Sequence, residues 1–143
     1  AAFPEEDMAK NTVGHTALQI ASSMGRIDVA RLLIARGASI NAKNEVGFTA
    51  LHASAVAGIP KTAALLIEKG ADVNAQSVSG FTPLHMAADL YWEGGKQGQL
   101  AVMEVLLKSG ADRHIKDKQG MTPLDEAKRT GFKQAVDLLD EKK

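Results

Sequence analysis

The chain contains no cysteine, few aromatic residues and no long apolar run. Aromatic residues make up only 4% of its 143 residues. The absence of cysteine excludes disulfides, thiolate metal sites and cysteine nucleophiles. The low aromatic content predicts an aliphatic core. No apolar run approaches the ~20 residues that a membrane-spanning helix needs, so we expect no membrane partner.

The chain also lacks an excess of charge of either sign. Lys and Arg together number 17, as do Asp and Glu, so the formal net charge is zero. Nucleic-acid-binding proteins usually carry a basic face, and we therefore expect no nucleic-acid partner. The sequence does not set the compartment: the cytoplasm is favoured, while a secreted or periplasmic location stays open if a signal segment preceded Ala1.

What the chain does have is a recurring block. The pattern Gly-x-Thr-x-Leu begins at Gly14, Gly47, Gly80 and Gly120, in steps of 33, 33 and 40 residues. A fixed period in this range is the mark of stacked repeats, in which each unit buries its apolar face against its neighbours. The last step is seven residues longer than the others, which indicates an insertion in the third unit.

Each unit is predicted to contain two helices and a connector. The apolar residues recur at helical spacing, and Pro83 and Pro123 stand at first helical positions. The predicted N-caps are Thr16, Thr49, Thr82 and Thr122. A glycine is expected in the turn between the helices, at Gly25, Gly58, Gly98 and Gly131. The connector 41–47, repeated at 74–80, is expected to form a β-hairpin-like finger.

These motifs resemble the ankyrin repeat family. The segment 82–88 reads Thr-Pro-Leu-His-Met-Ala-Ala, and 70–75 reads Gly-Ala-Asp-Val-Asn-Ala, which match the family's start and finish. The resemblance implies an all-α solenoid of helix-turn-helix units with β-hairpin-like fingers, and a non-enzymatic protein-binding role without a cofactor or metal. The uneven repeats favour a natural over a designed sequence.

The expected organisation follows the repeat register. Residues 1–8 form an N-terminal segment, with Phe3-Pro4 against unit 1, and residues 9–143 form one domain that is monomeric on its own. The repeats are expected at about 9–41, 42–74, 75–114 with the seven-residue insertion, and 115–143 as a C-terminal cap.

Two histidines occupy equivalent positions and invite a metal hypothesis. His52 and His85 lie in successive first helices, but packed helices are ~8–10 Å apart, too far for both rings to bind one zinc. In the family this histidine braces adjacent repeats through hydrogen bonds, which we favour. No serine lies in a nucleophile elbow, and Gly94–Gly98 lacks the order of a phosphate-binding loop.

With no catalytic pattern, the concave face is the expected binding surface. Phe48, Phe81 and Met121 share one finger position, where they either bind a partner or pack finger against finger. The predicted partner-binding residues are Val46, Phe48, Val78, Phe81, Leu90, Tyr91, Trp92, Met121 and Arg129.

The insertion carries the chain's only Tyr and Trp, at Tyr91 and Trp92. Insertions in repeat proteins often lie on the binding face, and both residue types are frequent interface anchors. The insertion either extends the first helix of unit 3 or forms a loop, and its rings either contact a partner or cover the helix.

We predict a protein-binding module that uses the concave face and the insertion; the alternative is a targeting or scaffold fragment of a longer multidomain or multi-repeat protein.

Overall fold

The computed structural model describes residues 12–90 and 93–141, and within these it leaves out the side chains of 12–16. Eight α-helices lie in the described part, and none of its residues forms a strand. In chain order the helices are α1 (Thr12–Ser23), α2 (Ile27–Ala35), α3 (Ala50–Ala57), α4 (Pro60–Glu68), α5 (Pro83–Ala88), α6 (Lys96–Lys108), α7 (Pro123–Thr130) and α8 (Lys133–Leu139). They form four pairs, one for each predicted unit, and first helices of adjacent units pack on one another.

The predicted threonine caps are confirmed in units 2, 3 and 4. The hydroxyls of Thr49, Thr82 and Thr122 each accept the backbone N–H three residues later. Unit 1 differs, because α1 begins at Thr12 and therefore includes Thr16. The prediction of a cap at Thr16 is therefore wrong for this unit, because Thr16 lies inside a continuous helix.

The glycine pattern contains a second correction, at Gly98. The predicted inter-helix turn is not there, since Gly98 lies inside α6. A Cβ on Gly98 would come within 2.1 Å of the Gly58 carbonyl oxygen, so only glycine lets α6 approach the end of α3 this closely. The inserted residues therefore do not extend the first helix of unit 3, which ends at Ala88. After a short 3-10 turn at Glu93–Gly95, they add a turn to the start of the second helix.

The core is aliphatic, as the composition predicts. Leucine and alanine side chains dominate it, and Leu18, Leu51, Leu84 and Leu139 represent the successive units. Thr62, fully buried, adds a polar link between units because its hydroxyl donates to the Ser22 carbonyl at 2.7 Å. Sequence reasoning did not anticipate this inter-repeat hydrogen bond.

Fingers precede the first helices of units 2, 3 and 4, and we name them finger 2 (41–48), finger 3 (74–81) and finger 4 (114–121). Each is a hairpin-like turn: the Asn44 N–H donates to the Phe48 carbonyl at 3.0 Å, and fingers 3 and 4 repeat the bond at 2.9 Å. Gly47 has φ +81°, and a Cβ there would come within 2.7 Å of the Val78 backbone nitrogen. The tight spacing of the fingers therefore depends on glycine at the tip.

Candidate protein-binding surface

Four of the predicted binding residues meet in one groove between fingers 2 and 3. Val46 and Val78 form its walls and are 51% and 60% exposed, while Phe48 and Phe81 are half-buried at its base. The groove holds about 310 Å³, and Glu45, Ser77 and Ser79 complete its lining. An exposed apolar groove with a polar edge has the composition that protein interfaces favour.

The base of the groove is fixed from beneath by the two histidines. The His52 ring stacks on Phe48 with centroids 5.2 Å apart, and its Nε2 lies 2.8 Å from the Phe81 carbonyl oxygen of the next unit. His85 repeats this contact with the Met121 carbonyl at 2.8 Å. Both histidines therefore brace adjacent repeats, as the resemblance implied.

The histidine contacts require neutral rings. The Thr49 N–H donates to Nδ1 of His52 at 3.0 Å, which leaves Nε2 to carry the proton that is donated to Phe81. Burial, the largest cause, lowers the pKa of His52 to about 4, and it lowers the pKa of His85 in the same direction. A second proton on His52 would place an N–H against the Thr49 N–H, so the brace operates with the uncharged imidazole.

The finger tips are joined to one another by backbone hydrogen bonds. The Val78 N–H donates to the Val46 carbonyl at 2.9 Å, and the Lys118 N–H donates to the Ser79 carbonyl at 3.0 Å. These bonds hold Val46 and Val78 at a fixed separation. The groove is therefore preformed, and little conformational entropy is lost when a ligand enters it.

Sequence reasoning missed the side chains that shape the finger tips. Asn44, Ser77 and Asp117 stand three residues before the tip glycine; Asn44 and Asp117 each accept two backbone N–H groups of their own finger, and Ser77 accepts one. In finger 2, Oδ1 of Asn44 accepts the N–H of both Val46 and Phe48 at 3.0 Å. A short polar residue at this register position is the signal that would have identified them.

The other predicted residues lie away from the groove or outside the described part. Met121 is half-buried in finger 4. Leu90 packs against the core after α5, and its N–H donates to the Thr130 hydroxyl at 3.3 Å. Arg129 is exposed on α7 but bonded to Glu126, and it lies 3.7 Å from the Asp89 carboxylate. Tyr91 and Trp92, like the N-terminal segment 1–8, fall outside the described residues.

Two features are absent from the part of the chain that the structure describes. Across residues 12–90 and 93–141, no three His, Asp or Glu side chains are grouped so that they could hold a metal ion. In the same part of the chain, no helix is both long and apolar enough to cross a membrane.

The paired helices, capped by threonine and linked by fingers, define a helical repeat solenoid. Comparison with known families agrees: the model of ankyrin repeats (3 copies) matches residues 4–77 and 37–116. The chain belongs to the ankyrin repeat family. Over 47 residues it is 43% identical to the ankyrin repeat protein YahD of Escherichia coli (strain K12), and this stretch covers 33% of the chain and 23% of that protein.

Proposed function

We propose that the chain is a non-enzymatic binding module whose partner protein occupies the groove between fingers 2 and 3. Ankyrin repeats are generally protein–protein interaction modules, which supports the class of function. The proposal that the partner occupies this groove rests on one observation: Val46 and Val78 are exposed side by side in a groove that two aromatic rings also line. Val46 and Val78 do not belong to the buried core, and their burial by a partner would remove further apolar area from water.

Replacing both groove valines tests this proposal. The double variant Val46→Asp/Val78→Asp places two charges where an apolar partner side chain would bind. We expect partner affinity to fall by about tenfold or more, because buried unpaired charge is costly at an interface, while stability stays near the parent's. Affinity chromatography with extract from the source cells, followed by titration of the captured protein, measures the change.

The matched control is Ala64→Asp, an exposed position on the second helix α4. This substitution adds a negative charge away from the fingers, and the amount of partner protein captured by the chain should stay unchanged. Equal capture by the parent and the double valine variant would overturn the groove proposal, even if a partner is found.

We propose a contribution from the unit 3 insertion as well. It contains the chain's only Tyr and Trp, both frequent interface anchors. Trp92→Ala should weaken partner binding and leave the thermal midpoint close to the parent's. Because Trp92 is unique, its fluorescence gives a direct second measurement when the partner is added. A large loss of stability with unchanged affinity would mean that the ring has a structural role only.

A second candidate function is that of one part of a longer repeat array, and exposed apolar residues of unit 1 favour it. Ile20, Val29 and Leu32 are 51%, 37% and 53% exposed, whereas the residues equivalent to Val29 in the other units, Thr62 among them, are fully buried. Thr62 is covered by the preceding unit, so a further repeat would cover the unit 1 face in the same way. Slower hydrogen exchange of α1 in the full-length gene product would support this candidate, and unchanged exchange would contradict it.

A further inference from the structure

We infer that the groove selects a partner segment with a fixed charge order: a basic residue, an apolar anchor and then an acidic residue, running from finger 2 towards finger 4. The inference rests on the proposed function and specifies the chemistry of the partner. It is drawn from the two charged side chains that lie at opposite ends of the line of finger tips, Glu45 on finger 2 and Lys118 on finger 4.

The acidic end is part of the groove itself. Glu45 lines it beside Val46, is exposed and forms no ion pair with any described residue. The nearest lysine on the same finger, Lys43, is engaged elsewhere: its ammonium donates to the Gln76 carbonyl at 2.9 Å, and it does not line the groove. A ligand in the groove therefore meets a carboxylate at its finger 2 end.

The basic end of the line of finger tips is Lys118, on the finger that follows the groove. Ser79 lines the groove on finger 3, and its carbonyl accepts the N–H of Lys118 on finger 4, so Lys118 lies next to the finger 3 side of the groove. The Lys118 side chain is exposed and forms no ion pair within the described part of the chain. The neighbouring carboxylate of Asp117 is buried and accepts the backbone N–H groups of Gln119 and Met121. The outward charge of finger 4 is therefore positive.

The finger spacing sets the length of the segment. Adjacent fingers are joined by backbone hydrogen bonds, so the segment lies across their tips. Repeats stack at the ~8–10 Å distance of packed helices, and an extended segment that rises ~3.3 Å per residue advances by one finger in about three residues. If its apolar anchor fills the groove, its acidic residue reaches Lys118 about three residues further on, and its basic residue contacts Glu45 on the other side of the anchor.

A selection from a displayed library of random 16-residue peptides tests the inference on the whole chain. We expect enriched peptides to carry Lys or Arg beside an aliphatic or aromatic anchor, with Asp or Glu about three residues beyond it. The same selection on the charge-exchanged variant Glu45→Lys/Lys118→Glu should enrich the opposite charge order. The control Glu68→Lys/Lys108→Glu, which exchanges exposed charges on second helices, should keep the parent's order.

The outcomes separate the inference from the function on which it rests. Enriched apolar peptides that depend on Val46 and Val78 but show no charge order, or the same order after the exchange, overturn the inference and leave the binding groove intact. Enriched peptides that still bind Val46→Asp/Val78→Asp with undiminished affinity contradict both the charge order and the binding groove. A selection that enriches no peptide contradicts both as well.

Discussion

Gly98→Ala is expected to lower the free energy of unfolding by roughly 2–4 kcal/mol, although alanine is the better helix former. Gly98 lies within α6 with no unusual backbone angle, so propensity alone predicts a gain of about 1 kcal/mol. The opposing effect is steric: the new Cβ would come within 2.1 Å of the Gly58 oxygen and 3.0 Å of its carbonyl carbon. Backbone atoms cannot rotate away as a side chain can. The two helices must therefore separate, and the surrounding core loses contacts.

Urea denaturation followed by circular dichroism measures this loss. Gln97→Ala is the control, because Gln97 precedes Gly98 in the same helix and is exposed. It should change stability by less than about 0.5 kcal/mol. If Gly98→Ala proves as stable as the parent or more stable, the close approach of α6 to the end of α3 is not as described.

His52 is expected to make stability fall as the pH decreases from about 6.5 to about 4. The pKa of His52 is about 4 in the folded protein, against 6.5 for an unperturbed histidine. Between these values the unfolded chain binds the additional proton and the folded chain does not, so protons favour unfolding. The difference corresponds to about 3 kcal/mol, lost progressively across this window and fully retained above pH 7. Urea midpoints at a series of pH values measure it.

Unit 1 itself supplies the control substitution for this prediction. Gln19 occupies the position of His52, and its side-chain amide donates to the Phe48 carbonyl at 3.0 Å, the same brace without a titrating group. His52→Gln should therefore keep the bond to Phe81 and flatten the pH dependence. A smaller slope should remain because the pKa of His85 is lowered as well. Equal slopes in the parent and His52→Gln would show that His52 does not titrate as stated.

The repeat period was sufficient to predict the regular part of the fold. Three of the four predicted threonine caps are confirmed, because a hydroxyl directly before a helix is enough to cap it. The hairpin-like fingers are confirmed as well, because glycine at the tight turn allows each finger to close. Gly98 was misassigned because spacing alone cannot distinguish a turn glycine from one that allows two backbones to meet. The start of α1 was missed because the block at Gly14 carries the finger pattern, although its residues are helical.

The candidate site was predictable to a similar extent. The register placed Val46, Phe48, Val78 and Phe81 on fingers 2 and 3, and these four line one groove. Leu90 and Arg129 were assigned to the concave face by the same register, and the structure places them in contact with α7 residues and with Asp89. Such contacts depend on how units stack across the insertion, which no repeat period encodes.

Site-specific photocrosslinking tests the central claim, a protein-binding groove between fingers 2 and 3, most directly. A benzophenone amino acid is placed at Val78 in the groove or at Ala64 on α4, both of which are exposed. Each variant is then irradiated in extract from the source cells. We predict a discrete crosslinked protein from position 78 that excess unlabelled chain competes away, and none from position 64. A competable crosslink from position 64 with none from position 78 would contradict the proposed site.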